Sequence, residues 1–148
     1  VNARGEEASA KRTFASALRL NRCLVPAVAF YEWRESDKQP FAYKRPDGQP
    51  YAIGGLWDPA GAADGSPWFL LLTVEANSVV APCHHRMALI VPRLRWDAWL
   101  DPATPALEIE SMIEPSAAGE LVAAPVSKLV SNVRNEGPEL MLSVEGIS

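Results

Sequence analysis

The run Arg22 to Trp33, RCLVPAVAFYEW, is apolar almost throughout and places one acidic side chain, Glu32, between two aromatic residues. β-Branched and aromatic side chains favour extended backbone, so the run reads as strand. The strand period of two puts Phe30 and Glu32 on one face and Tyr31 and Trp33 on the other. A carboxylate on so apolar a strand is costly unless it is paired or used. Partial burial would raise its pKa toward the range in which it both gives and takes protons. From this run alone two readings stay open: a polar residue closing a half-exposed strand, or a working acid–base group.

The chain around it is 148 residues long, which fits one domain over residues 1–148. Hydrophobic residues make up 48% and charged ones 22%, ordinary globular composition, and no window has the apolar length of a membrane span. The opening VNARGEEASAKR lacks the apolar core and cleavage pattern of a signal peptide, so a soluble cytoplasmic protein is expected. Cys23 and Cys83 could form one bridge, but without an export signal they read better as reduced thiols. No CxxC or HxxxH spacing marks a metal site, no G-x-G-x-x-G or P-loop occurs, and neither metal nor cofactor is expected. The net charge of −4 excludes a broadly basic nucleic-acid surface and requires any such site to be a local arginine cluster.

Upstream of the run, Glu6 to Leu20 predicts a helix, with Ala10, Phe14, Ala17 and Leu18 at helical spacing and acids in the first turn. Asn2 and Arg4 then stand near a helix N-terminus, where backbone amides favour anions. Asn2 as a turn or capping residue is the plainer reading. Downstream, Arg34 to Gln39 is polar and ends the strand, and Phe41–Lys44 is expected to pair with Tyr51–Trp57 across a Pro-Asp-Gly turn. Gly54-Gly55 within the second of these predicts a bulge or a close backbone approach. Asp58 to Pro67 reads as a loop, and Trp68–Val74 as a strongly apolar strand.

His84-His85-Arg86 holds both histidines of the chain. On extended backbone His84 and Arg86 share a face and His85 does not. That would set a titratable imidazole beside an anion-binding guanidinium, while two solvated loop histidines remain the alternative. Ala88–Val91 predicts a strand, Pro92–Leu100 a short helix packing Leu94, Trp96, Trp99 and Leu100, Ala106–Ile113 a second helix and Leu121–Val126 a last strand. Many short strands with a few short helices give an α+β class with a strongly curved, barrel-like, mainly antiparallel sheet.

Together the pieces NARGE at Asn2 to Glu6, the run Arg22 to Trp33, GGLW at Gly54 to Trp57, TVEAN at Thr73 to Asn77, HHRM at His84 to Met87 and PVS at Pro125 to Ser127 resemble the SRAP family of SOS response-associated peptidases and abasic-site processing proteins. The resemblance implies a DNA-damage-response protein that binds single-stranded DNA and crosslinks covalently to abasic sites, an N-terminal cysteine closing a thiazolidine ring on the sugar aldehyde. Carried onto this chain, it makes Asn2, Glu32 and His84 catalytic: Asn2 orients the reacting group, Glu32 shuttles protons, and His84 promotes sugar ring opening. Arg4 and Arg86 hold phosphates, and Trp33 and Thr73 line the DNA channel. The implied partner is abasic single-stranded DNA, with no membrane and no metal, for a monomer acting in the bacterial cytosol and nucleoid.

Against the family pattern, this chain begins at Val1 without the nucleophilic cysteine and its preceding segment, and it is read as N-terminally truncated and inactive as it stands. Ala29, Ala88 and Ser131 replace a glycine, a proline and an asparagine of the pattern. Two other functions remain open: a cysteine-type hydrolase or autopeptidase using Glu32 and His84 as its acid–base pair, and a non-catalytic remnant binding DNA or a protein.

Overall fold

The computed structural model describes residues 2–59 and 64–144, Thr13 by its backbone alone. Nine strands run in chain order: β1 Asn2–Arg4, β2 Arg22–Ala27, β3 Phe30–Trp33, β4 Pro40–Lys44, β5 Tyr51–Asp58, β6 Trp68–Glu75, β7 Arg86–Ala88, β8 Ile90–Val91 and β9 Val122–Pro125. Among the described residues four short α-helices accompany them, α1 Gly5–Ala8, α2 Arg12–Leu20, α3 Trp96–Leu100 and α4 Ala106–Ser111, with a few single 3-10 turns. The α+β class expected from the sequence is the observed one. The strands form two open sheets, however, and not a closed barrel. One has the order β1-β6-β5-β2, with β7 on β6 and β8 on β5; the other is β3-β4-β9. Among the described strands only β1 and β6 pair in parallel. Among the described residues no helix is long and apolar enough to cross a membrane.

The run Arg22 to Trp33 is where the chain changes sheets. Its first half is β2, an edge strand on which Pro26, lacking an N–H, is tolerated. Its second half is β3, in the other sheet. Between them Val28 is half exposed. The strand expected to be continuous is therefore two, because Phe30 leaves the first sheet to stack on Tyr43, with ring centroids 5.1 Å apart.

This changes the hairpin as well. β4 pairs with β3, Phe30 opposite Tyr43 and Trp33 opposite Pro40, and not with β5 as expected. The β3–β4 turn is closed by Arg34, whose guanidinium grips Asp37, while the Asp37 carboxylate also accepts the Gln39 N–H. The Pro-Asp-Gly turn exists, with Gly48 at φ 68° and its N–H on the Arg45 carbonyl, but it carries the chain from one sheet to the other. A turn signal states that the chain reverses; it does not state which strands then pair.

Gly54 and Gly55 make the close approach predicted. A Cβ on Gly54 would lie 3.1 Å from Trp99 Cζ2 and 3.0 Å from Leu89, and one on Gly55 would lie 2.7 Å from the Leu70 carbonyl oxygen. Trp99 is fully buried across β5, its indole N–H donating to the Cys23 carbonyl. Beside it Arg22 is buried and donates to the carbonyls of Leu18, Arg19, Trp99 and Asp101, so one guanidinium satisfies the C-terminal ends of α2 and α3.

The single helix expected over Glu6–Leu20 is split at Ser9–Lys11. Ala10, expected to pack, is exposed, and Ala8 is fully buried instead. α1 packs on β6, and a Cβ on Gly5 would overlap the Ile113 side chain just beyond α4, whereas α2 packs on β5; one straight helix cannot seat both faces. Ala88–Val91 is likewise two strands, β7 and β8, on different partners. Leu94 is 97% exposed and Leu100 half exposed, so of the four residues expected to pack in that helix only Trp99 is fully buried, with Trp96 partly so. The loop expected from Asp58 lies partly outside the described residues.

Candidate functional site

Residues opposite one another across a sheet project to the same side. Asn2 lies opposite Leu71 and Arg4 opposite Thr73; across β6, Thr73 is opposite Ala88 and Glu75 opposite Arg86. Asn2, Arg4, Thr73, Glu75 and Arg86 therefore share one face of the larger sheet, while Ala3, Leu72, Val74 and Met87 turn to the core on the other. Two polar islands 70 residues and more apart in sequence are brought together by strand register.

Glu32 reaches the site from the smaller sheet. The Phe30 ring beside it on the same face of β3 packs edge-on against Tyr51 of the larger sheet, whose hydroxyl donates to the Tyr43 carbonyl. The Glu32 carboxylate is about three-quarters buried and lies 3.9 Å from His84 Nδ1. Burial pushes its pKa above the ordinary glutamate value, and the positive charge that His84 can carry opposes the shift.

His84 is held between two anchored neighbours, Cys83 and Met87, both buried. Asn77 sets the turns leading into it, its side chain accepting from the Val79 and Val80 N–H groups and donating to the Ser116 carbonyl. His84 Nδ1 is 3.1 Å from both the N–H and the carbonyl of Arg86. A neutral ring accepts from that amide, and a ring protonated at Nδ1 faces the carbonyl and Glu32. The geometry accommodates both states, as proton exchange at this carboxylate–imidazole pair requires. The segment is not extended at this point, so His85 does not point away as expected: the two imidazoles lie 4.5 Å apart, tilted by 32°.

Arg86 donates through both terminal nitrogens to Glu6, at 3.0 and 2.6 Å, and to the Thr73 carbonyl at 2.6 Å; its Nε is buried without a partner among the described residues. Burial would raise the Glu6 pKa, but the Arg86 hydrogen bond and charge outweigh it and hold the carboxyl below its usual range. Arg4 is 58% exposed and pairs with Glu7 at 3.0 Å. Arg4, Arg86, His85, Glu75, Ala76 and Ala81 line a groove of about 480 Å³, which the His85 ring joins to the His84–Glu32 pair through its contact with the His84 ring.

Of the predicted site residues, Glu32 and His84 meet, and Arg4, Thr73 and Arg86 form a second group on one sheet face, Arg86 carrying the link to His84 through its backbone. Asn2 lies exposed on that same face. Trp33 is not brought to either group: it projects from the opposite face of β3 to Glu32, and its indole N–H donates to Ser131 Oγ at 2.9 Å. Ser127, within the PVS piece, caps a short turn through the Leu129 N–H. Glu6, Tyr43 and His85 were not singled out for a role by the sequence. The Glu6–Arg86 pair spans 80 positions with no local signal, and Tyr43, opposite Phe30, comes onto the face of Glu32 only once β3 and β4 are known to pair. Among the described residues no group of three or more His, Cys, Asp or Glu could hold a metal ion.

Fold and site together define an α+β protein with a half-buried carboxylate–imidazole pair at the side of an arginine-lined groove. The family model for SOS response associated peptidase (SRAP) matches residues 1–133, and the chain belongs to that family. It is 32% identical to abasic site processing protein YoqW of Bacillus subtilis over 97% of this chain and 66% of that protein, and 30% identical to abasic site processing protein YedK of Escherichia coli over 97% and 67%. Among solved structures, a Bacteroides thetaiotaomicron protein superposes with a TM-score of 0.81 at 23% identity, covering 96% of this chain and 65% of that one, a likeness of fold. A Bordetella bronchiseptica protein gives 0.73 at 33% identity over 85% and 64%. The chain thus spans about two thirds of the length of these relatives.

Proposed function

We propose that this chain is the larger part of an abasic-site processing protein, a single SRAP-like domain that binds single-stranded DNA and supports a covalent crosslink to the open-ring sugar. The observation carrying the proposal is the Glu32–His84 pair: a carboxylate with a raised pKa, 3.9 Å from an imidazole, beside a groove lined by two arginines. The names of the related proteins support the same substrate.

In this reading an α-amine adds to the sugar aldehyde, water leaves, and the thiolate of the same residue closes the ring on the resulting iminium carbon, with no net oxidation. His84 moves the proton that opens the furanose. Glu32 gives a proton to the departing hydroxyl and takes one from the amine, tasks suited to a carboxyl whose pKa is raised. Asn2 orients the nucleophile from the shared sheet face, and Arg4, Thr73 and Arg86 face the DNA strand. Trp33, from the opposite face of β3, would stack a base further along.

Neither cysteine of the chain supplies the nucleophile. An internal residue has no free α-amine, Cys83 is buried, and burial pushes the Cys23 thiol up. In this reading the amine and thiol belong to an N-terminal cysteine, a part that neither Cys23 nor Cys83 can play. A full-length protein with a mature N-terminal cysteine should form a heat-stable adduct with an abasic single-stranded oligonucleotide, read on a denaturing gel. Glu32→Gln should slow its formation about 10²-fold. No adduct from the full-length protein overturns the function, and an adduct from the 148-residue chain alone overturns the assignment of the nucleophile.

A further inference from the structure

The groove beside the acid–base pair has a charge pattern that its two arginines do not explain. Each arginine carries its own carboxylate, Arg4 paired with Glu7 and Arg86 held by both terminal nitrogens on Glu6. Glu75 also lines the groove. A phosphate entering here meets cations that are already compensated. His85 differs. Its imidazole is exposed, lines the same groove, and among the described residues has no hydrogen-bond or ion-pair partner at either ring nitrogen.

The ring is nevertheless positioned. The Ala76 N–H donates to the His85 carbonyl at 3.1 Å, fixing the backbone, and the His84 ring 4.5 Å away supports one face of the imidazole. The groups facing it are Arg4, Glu75 and Arg86 in the groove and His84 against its face, with Glu32 behind His84, Glu6 on Arg86 and Glu7 on Arg4. His84 faces Glu32, whereas among the described residues no carboxylate is committed to the His85 imidazole, and a phosphate oxygen would complete it.

We propose that His85 is the phosphate contact that makes single-stranded DNA binding in this groove depend on pH. The inference rests on the reading of the groove as a DNA site. A neutral imidazole offers the strand one neutral donor; protonation adds a charge-assisted one and lifts the groove's net charge by one unit. An exposed contact of this kind is worth about three- to fivefold in affinity. It also adds one counterion-releasing contact, which steepens the salt dependence on a single strand by about 0.7 in log–log slope.

The test uses the 148-residue chain and an unmodified oligothymidylate, so that no covalent step enters. Between pH 8 and pH 6 affinity should rise about three- to fivefold and the salt slope should steepen by about 0.7. His85→Asn should abolish both changes, and His85→Lys should bind tightly with a steep slope at both pH values. Thermal melting should be the same for all three, since the ring is exposed. Retention of the wild-type pH response by His85→Asn overturns the assignment to His85. Binding without pH response in the wild type overturns the inference and leaves the DNA site standing, whereas no binding at either pH overturns both.

Discussion

Two arginines mark the two ends of the molecule's logic. Arg22 lies in the corner between α2, β2 and α3, and Arg86 lies in the groove. Both are largely buried and both donate to main-chain carbonyls. Arg22 spends its donors on four carbonyls at the ends of two helices, and among the described residues no carboxylate hydrogen-bonds to it. Arg86 spends its donors mainly on a half-exposed carboxylate, Glu6, and keeps a buried Nε with no partner among the described residues. A carbonyl belonging to a packed helix cannot leave; a carboxylate on an exposed side chain can. The corner is saturated and structural, while the groove is compensated but open to exchange.

The comparison is broken most readily by removing each guanidinium in turn. Arg22→Met strands four carbonyls, two in buried and two in part-buried bonds, and should cost about 3 kcal/mol or more of stability. Arg86→Met strands one carbonyl and leaves Glu6 free to hydrate, so about 1–2 kcal/mol is expected, with single-stranded DNA binding lost. Chemical denaturation of the two variants checks the order, and equal losses would mean that Arg86 is a framework residue like Arg22.

A smaller effect tests the carboxylate of the acid–base pair. The Glu32 pKa is raised in the folded state, so the fold binds its proton more tightly than the unfolded chain does. The stability this contributes is fully present below the ordinary glutamate value of 4.5 and is lost as pH rises through the raised value. Glu32→Gln should therefore raise the melting temperature at pH 8, and the advantage should shrink toward zero below pH 4.5. An advantage that grows on acidification would show a carboxylate stabilised as its anion.

The smallest expected effect sharpens the description of the groove's rim. Glu7 is exposed and bonded to Lys11 and Arg4, and these bonds, the Lys11 one larger, hold its pKa down against a slight burial effect. Glu7→Gln should change stability by less than about 0.5 kcal/mol, because exposed ion pairs contribute little. It should also strengthen binding to oligothymidylate by freeing Arg4. Weaker binding would mean that Glu7 orients Arg4 for the strand and does not compete with it.

Local pattern carried much of this molecule. Period-two alternation in Phe30 to Trp33 put Glu32 on the face where it meets His84, and the paired glycines of β5 announced the approach of Trp99. The strands β6 and β9 and the helix α4 were legible because each is a contiguous apolar or periodic segment. Sequence order could not show that the run Arg22 to Trp33 passes between two sheets, since both halves are equally apolar and strand-forming. Nor could it show that Glu6 occupies Arg86, or that the two imidazoles lie together.

The amino-acid sequence by itself determined the α+β class, the family and the residue types available for chemistry, because propensity, turn chemistry and short motifs are properties of neighbours along the chain. The tertiary structure decided which of those residues work together. Strand pairing set Arg4 and Thr73 side by side and Arg86 opposite Glu75. Burial raised the Glu32 pKa, and the fold, not spacing, brought the His85 imidazole into one groove with two compensated arginines. Those outcomes depend on contacts up to 80 positions apart, whose energies arise only when the sheets have closed on one another.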